Sequence, residues 1–194
     1  MPEPTFEELI TAMKDAVGIL QGAAIPFVLG GGLSAWARGG PRSEHDVDFL
    51  IRPDDVDTAL AAFEAATWET ATPPEGWLVK TWHPNGSLVD LIYNPASGPI
   101  TDEQIERAEL AEVMAVRVHL SSLEDVMVSK LAALTEQEPD FSAPLEWARA
   151  LREQIDWDEV RARTEASPFS RAFFTLVEGL GVVESAQAAL ERRE

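Results

Sequence analysis

Residues 30–51 of this 194-residue chain read GGGLSAWARGGPRSEHDVDFLI and place three glycines ahead of two closely spaced aspartates. The last six residues, DVDFLI, are typical of a strand, in which successive side chains point to opposite faces. Asp46 and Asp48 therefore share one face, while the opposite face carries only apolar side chains: Val47, Phe49 and Ile51. Two ionised carboxylates this close repel each other unless a cation lies between them. A hard divalent cation with oxygen ligands is the natural partner.

A second strand supplies another carboxylate. Residues 76–95, GWLVKTWHPNGSLVDLIYNP, contain Asn85-Gly86 between two apolar runs, which predicts a hairpin. Asp90 lies inside the second apolar run. If this run pairs beside residues 46–51, Asp90 completes a three-carboxylate cluster. Such clusters hold Mg²⁺ or Mn²⁺ against a triphosphate in two-metal phosphoryl and nucleotidyl transfer.

The glycines precede the acids in a telling order. Gly31, Gly32 and Ser34 lie where an apolar strand gives way to a short helix. At such turns, backbone N–H groups can bind phosphate oxygens. The chain has these features in a fixed order: a strand, Gly-Gly-x-Ser, a short helix, Asp-x-Asp and a later Asp. This order is a more specific signal for such a site than any one of its parts.

Composition limits the class of protein. The formal net charge is −19, cysteine is absent and hydrophobic residues make up 45% of the chain. The first residues are acidic and lack the features of a secretory signal, and no run reaches the ~20 apolar residues of a membrane span. We expect a cytoplasmic protein without a membrane partner. Any polyanionic partner would have to bind a local basic patch, because the net negative charge of the whole molecule repels it.

The apolar spacing predicts an α/β (α+β) protein: a short mixed sheet flanked by helices over residues 1–120, then a helical subdomain over residues 121–194. Strands are expected at 25–30, 46–51 and 115–120, and two more are expected within 76–95, one on each side of residues 83–86. Helices are expected at 5–21, 33–38, 52–66, 101–113, 121–137, 143–155, 157–166, 168–181 and 184–194. Thr5 with Glu8, and Ser122 with Asp125, have the spacing of helix N-terminal caps.

At these residues the sequence resembles the nucleotidyltransferases of the DNA polymerase β-like superfamily, and most nearly the AbiEii/MenT-like toxins. The family's glycine, arginine and paired-acid pattern corresponds to Gly31, Gly32, Ser34, Gly39, Arg42, Asp46 and Asp48. Its later acid corresponds to Asp90, and its nucleotide-contacting lysine corresponds to Lys130 in SSLEDVMVSKLAAL. Two positions depart from the pattern. Glu44 stands where the family usually has Thr or Ser. Many relatives also carry an arginine and aspartate pair in a helix after the lysine, and here only Glu146 stands in for that aspartate.

The resemblance implies a role for each of these residues. Asp46, Asp48 and Asp90 would bind Mg²⁺ or Mn²⁺, and Asp90 would also help to deprotonate the acceptor. The remaining matched residues would contact the nucleoside triphosphate: Gly31, Gly32 and Ser34 at the phosphates, and Arg42 and Lys130 as cations that neutralise charge. The implied reaction moves a nucleoside monophosphate to a hydroxyl. That hydroxyl would be a tRNA 3′ end if the chain is the toxin of a toxin–antitoxin pair with a cognate antitoxin.

Two alternatives use the same residues. The acceptor could be a small molecule of the aminoglycoside type, which the negative net charge favours. The chain could also be a catalytically silent module that only binds nucleotide or a partner.

Overall fold

A computed structural model describes residues 4–43 and 45–184. In this range, seven strands form one mixed sheet in the order β3-β4-β5-β2-β1-β7-β6. The strands are β1 (Phe27–Leu29), β2 (Asp46–Ile51), β3 (Glu69–Ala71), β4 (Leu78–Trp82), β5 (Leu88–Ile92), β6 (Glu109–Val113) and β7 (Val116–Leu120). Helices lie against the sheet, so the predicted fold class is confirmed.

The apolar face of the sheet is covered by α1 (Phe6–Gly22) and α3 (Val56–Ala65). Thr5 and Glu8 form the expected capping box at the start of α1, with each side chain bonding the other residue's backbone N–H. Phe49 and Met13, both fully buried, belong to this core. The apolar face of β2 is thereby fixed toward α1, so the two aspartates of β2 face the other way.

The centre of the sheet brings the two acidic strands together. β2 runs parallel to β5, and Asp48 is the register partner of Asp90. β4 and β5 form the predicted hairpin, in which Lys80 is the register partner of Asp90. In the turn, the Gly86 N–H donates to the His83 carbonyl, and the Ser87 N–H donates to the Asn85 side chain. The hairpin therefore determines which side chains flank β2.

The helix expected over residues 101–113 is wrong in its second half. The helix α4 (Asp102–Glu106) ends early, and Glu109–Val113 forms the edge strand β6, antiparallel to β7. Met114 and Ala115 have φ values of 49° and 67° and turn the chain between the two strands. Pairing with β7 outweighs the helical spacing of this segment, because tertiary hydrogen bonds override weak local propensity.

Smaller differences lie elsewhere. The segment 52–66 opens with a 3₁₀ turn (Pro53–Asp55) before α3, and β3 was not expected at all. The helices α2 (Gly31–Ala37), α5 (Leu123–Ala132), α6 (Ser142–Leu151), α7 (Trp157–Thr164) and α8 (Pro168–Gly179) follow the predicted pattern. The helix expected over 184–194 lies, apart from Glu184, outside the described residues. No helix in residues 4–43 and 45–184 is long and apolar enough to cross a membrane.

The helices after residue 120 have a hydrophobic cluster of their own. It includes Met127, Leu131, Trp147 and Phe173, together with Ala35 from α2. The sheet and α1 form a second cluster from residues before 121. Ala35 thus packs α2 against the helical part. The boundary at residue 120 stays a prediction, although the two clusters are consistent with it.

A buried carboxylate also links the two parts. Asp125 on α5 is 8% exposed and accepts hydrogen bonds from Arg107, which follows α4, and from Arg163 on α7. The shortest N···O distances are 2.5 Å to Arg107 and 2.6 Å to Arg163. Burial acts to raise the pKa of Asp125, but the two guanidinium groups outweigh it, and the pKa is lower than usual. The three charges therefore stabilise the contact between the sheet part and the helices.

We expect D125N to lower the free energy of unfolding by about 2 kcal/mol at pH 7, because both guanidinium groups lose a buried anion. A lowered pKa stabilises the protein above the ordinary Asp range, and the effect is lost as the pH falls through the lowered pKa. The difference between wild type and variant should therefore shrink below about pH 4. Urea denaturation at several pH values measures it. The matched control is E153Q, which removes an exposed ion pair with Arg152. A pH-independent difference would contradict this account.

Candidate active site

Three carboxylates converge on the face of β2 opposite the core. Asp46, Asp48 and Asp90 each offer one oxygen, and these oxygens lie within 4.8 Å of one another. Asp46 and Asp48 share a face because they are two residues apart on β2. Asp90 joins them because its strand is in parallel register with β2. The sheet thus places three acidic side chains in one spot.

Burial and mutual repulsion act on these acids. Burial raises the pKa of Asp48 well above its usual range, and the charges of Asp46 and Asp90 raise it further. Burial also raises the pKa of Asp90, although Lys80 opposes the shift. Without a cation, the folded protein therefore favours a proton on this cluster, as expected for carboxylates that face one another.

Gly31 leaves the space that Asp48 uses. Its φ is +50°, and a Cβ at this position would lie 1.8 Å from Asp48 Oδ2. Any side chain at residue 31 would displace the Asp48 carboxylate. The glycine expected to contact phosphate thus also has a steric role: it lets α2 begin directly against the acid cluster.

Lys80 is a charged neighbour that sequence reasoning missed. It lies opposite Asp90 in the β4–β5 hairpin, and its Nζ is 3.2 Å from Asp90 Oδ2 and 3.3 Å from Oδ1. Counting residues outward from a two-residue turn at Asn85-Gly86 would have paired Thr81 with Asp90. In the structure His83 pairs with Ser87 across a three-residue loop, and this register puts Lys80 opposite Asp90.

Lys130 is close enough to the three aspartates for its positive charge to act on Asp48. It is exposed on the last turn of α5, and its charge acts to lower the pKa of Asp48. It also lines a cavity of about 620 Å³ together with residues of the segment that leads to α6, among them Glu138 and Asp140. Hydrogen bonds from the Ser142 hydroxyl and N–H lower the pKa of Asp140. The cavity therefore combines one cation with two acids.

Ser34 does not line the cavity beside Lys130. It is fully buried, and its hydroxyl donates to the Ser121 carbonyl at 3.0 Å and accepts from Arg38 at 2.9 Å. The hydroxyl thus ties α2 to the end of β7. Gly32 is closer to the loop before β2, since a Cβ there would lie 2.7 Å from the Ser43 hydroxyl. The hydroxyl of Ser34 is thus used in hydrogen bonds within the protein, and its expected contact with phosphate stays a prediction.

The remaining predicted positions are peripheral. Arg42 is exposed, and its guanidinium carbon lies 5.0 Å from the centre of the Phe6 ring. Glu146 is exposed on α6, whereas Glu44 lies outside the described residues. The structure therefore groups the three aspartates with Gly31, Lys80 and Lys130, and places Arg42 over Phe6 of α1.

The donor set fits a hard divalent cation. All three ligand candidates are carboxylates, the donors that Mg²⁺ and Mn²⁺ prefer, and one cation could satisfy their oxygens together. A cation would also remove the repulsion that raises the pKa of Asp48.

G31A should be less stable than wild type and should lose Mn²⁺ binding. An alanine with positive φ costs about 1–2 kcal/mol, and its Cβ must also displace the Asp48 carboxylate. G76A is the matched control, because Gly76 has φ +67° and open space around it. Urea denaturation and Mn²⁺ titration compare the two variants. Equal losses in both would show that Gly31 has no steric role at the cluster.

D48N should stabilise the protein in the absence of metal at neutral pH. A carboxyl with a raised pKa makes the folded state less stable as the pH rises from the ordinary Asp range through the raised value. Removing the charge eliminates that loss. We expect a higher melting temperature than wild type at pH 8 and no gain at pH 4. D54N, at an exposed site before α3, is the control. A lower melting temperature for D48N at pH 8 would contradict the account.

Solved structures with a similar fold include an antibiotic-resistance factor, ANT(2″)-Ia, in solution. It is 16% identical, with a TM-score of 0.57 over 89% of this chain and 96% of that chain. A crystal structure of ANT(2″)-Ia in complex with adenylyl-2″-tobramycin is also 16% identical, with a TM-score of 0.50 over 86% and 97% of the two chains. An antigenic nucleotidyltransferase-like protein from Paracoccidioides brasiliensis is 15% identical, with a TM-score of 0.51 over 90% and 95%. At these identities the similarity shows the fold.

The sequence itself also matches a family. No curated protein matches this chain. The family model described as "Nucleotidyl transferase of unknown function (DUF2204)" matches residues 9–172 and so includes all the strands and the three aspartates. The resemblance to nucleotidyltransferases is supported, while the narrower likeness to the AbiEii/MenT toxins stays a prediction. The chain belongs to this family of nucleotidyl transferases.

Proposed function

We propose that the protein transfers a nucleoside monophosphate from a nucleoside triphosphate to a hydroxyl group, in a reaction that depends on Mg²⁺ or Mn²⁺. The observation that carries the proposal is the convergence of Asp46, Asp48 and Asp90 within 4.8 Å, beside Gly31. A silent binding module would not need all three acids. Their mutual repulsion destabilises the fold unless a bound cation offsets it.

The three aspartates would hold the cation. When bound, it would neutralise charge on the triphosphate and acidify the acceptor hydroxyl, with one or two ions shared by the carboxylates. Lys130, whose charge acts on Asp48, would add positive charge for the negative charge that develops on the phosphates. Backbone N–H groups at Gly31 and Gly32, and the exposed Arg42, are the further phosphate contacts that the resemblance implies.

The chemical step is a displacement at the α-phosphorus. The acceptor oxygen forms a new bond to this phosphorus, and the bond to the oxygen that bridges to the β-phosphorus breaks. Pyrophosphate leaves with the electron pair of that bond. The proton of the hydroxyl passes to the Asp90 carboxylate and then to solvent.

The acceptor is the open part of the proposal. Glu138 and Asp140 line the cavity that Lys130 shares, and the whole chain carries a net charge of −19. This acidic setting favours a small cationic hydroxyl compound over a polyanion. The tobramycin adduct bound by ANT(2″)-Ia is an example of such chemistry on a similar fold. A tRNA 3′ end, with the toxin role and antitoxin that it would imply, is the second candidate and rests on the sequence resemblance.

Label transfer from α-³²P nucleoside triphosphates tests the reaction. With Mg²⁺, wild type should label an acceptor from a panel of aminoglycosides, other small hydroxyl compounds and total tRNA. D48N should lower the rate about a thousandfold or more, because the cation loses a central ligand. The control D54N should keep the wild-type rate. No labelling of any acceptor with any of the four nucleotides would contradict the proposed reaction.

The same panel separates the acceptor classes. For small cationic compounds, a KM that rises as salt screens the acidic residues would support the cavity argument, whereas labelling confined to tRNA would support the toxin resemblance. Thermal melting adds a test of binding alone, since Mg²⁺ with the correct nucleotide should raise the melting temperature of wild type but not of D48N.

A further inference from the structure

Lys80 binds the most deeply buried acid of the cluster. Asp90 has a side chain only 8% exposed, and both of its oxygens lie within 3.3 Å of Lys80 Nζ. Lys80 itself is 33% exposed. Its stem lies on β4, and its ammonium group closes one side of the site that β2 and β5 form.

The contact changes the charge of the cluster. Three carboxylates would carry up to three negative charges, and Lys80 is the one cation in direct contact with any of them among the described residues. The chain has only three lysines, Lys14, Lys80 and Lys130, and the charges of two of them reach Asp48. Two of the three lysines therefore act on this cluster.

We propose that Lys80 is the resident counter-ion of the cluster and competes with the divalent cation for Asp90. This inference rests on the proposed function. The Lys80 ammonium group already contacts both oxygens of Asp90, so binding of the metal must displace Lys80 or share Asp90 with a second positive charge. The cluster consequently binds free metal weakly.

The position of Lys80 suits such an exchange. Its ammonium group lies at the solvent side of Asp90, and four methylene groups let it leave without any movement of β4. Asp90 is fixed by the parallel register with β2 and stays in place. Lys80 is thus a positioning residue that acts through Asp90, and its charge also keeps the fold stable before the metal arrives.

Mn²⁺ binding without nucleotide tests the inference. Isothermal titration at pH 8 compares wild type with K80M, which removes the charge and keeps the length. K80M should bind Mn²⁺ about tenfold more tightly or better, since the metal no longer competes with an ammonium group for the oxygens of Asp90. K80R retains the charge and should match wild type. K14M, at a lysine on α1 outside the cluster, should also match wild type.

A double variant shows whether the gain acts through Asp90. In a D90N background, K80M should change Mn²⁺ affinity by less than twofold, because the shared ligand is absent. A purely structural ion pair gives the opposite pattern: K80M would bind Mn²⁺ no better than wild type, and that result overturns the inference. If K80M does not fold, K80Q carries the same expectation and the same disproof.

The outcome is independent of the transfer assay. Tighter Mn²⁺ binding by K80M supports the competition even if no acceptor is labelled, in which case the proposed function alone fails. Unchanged Mn²⁺ affinity in K80M, with wild type active in transfer, overturns the role of Lys80 and leaves the proposed function intact.

Discussion

The parallel pairing of β2 with β5 is the constraint on which the rest of this structure depends. Its register puts Asp48 beside Asp90, and the two-residue period of β2 adds Asp46 on the same face. The apolar face of β2 packs under α1, so the acids cannot turn inward. The fold therefore holds three carboxylates that repel one another, and the packing of the core has to offset this repulsion. Natural proteins accept such a loss of stability at functional sites.

The surrounding elements accommodate that repulsion in different ways. Gly31 has no Cβ, which leaves room for Asp48, and Lys80 supplies a charge opposite Asp90. Lys130 approaches from α5, whose N-terminal half is secured by the buried Asp125 and its two arginines. The helical part thus carries Lys130, whose charge acts on Asp48.

Much of this could be predicted from the sequence, for physical reasons. The alternation in DVDFLI separates core from site face, and Asn85-Gly86 locates the hairpin that carries Asp90. The predictions fail at residues whose structure or role depends on the strand or side chain that pairs with them. Residues 109–113 have helical spacing, yet they pair with β7, a strand that no local pattern could assign to them. Lys80 was missed because a lysine in a strand gains meaning only from the residue opposite. Ser34 has the position of a phosphate ligand in sequence, but its burial depends on Ser121, which is 87 residues away.

The most direct test of the account is crystallographic. Crystals grown with Mn²⁺ and a non-hydrolysable nucleoside triphosphate analogue would be measured at the manganese absorption edge. We predict an anomalous peak about 2.2 Å from carboxylate oxygens of Asp46, Asp48 and Asp90, with the triphosphate beside it. A peak elsewhere on the molecule, or a nucleotide bound away from these three aspartates, would contradict the account.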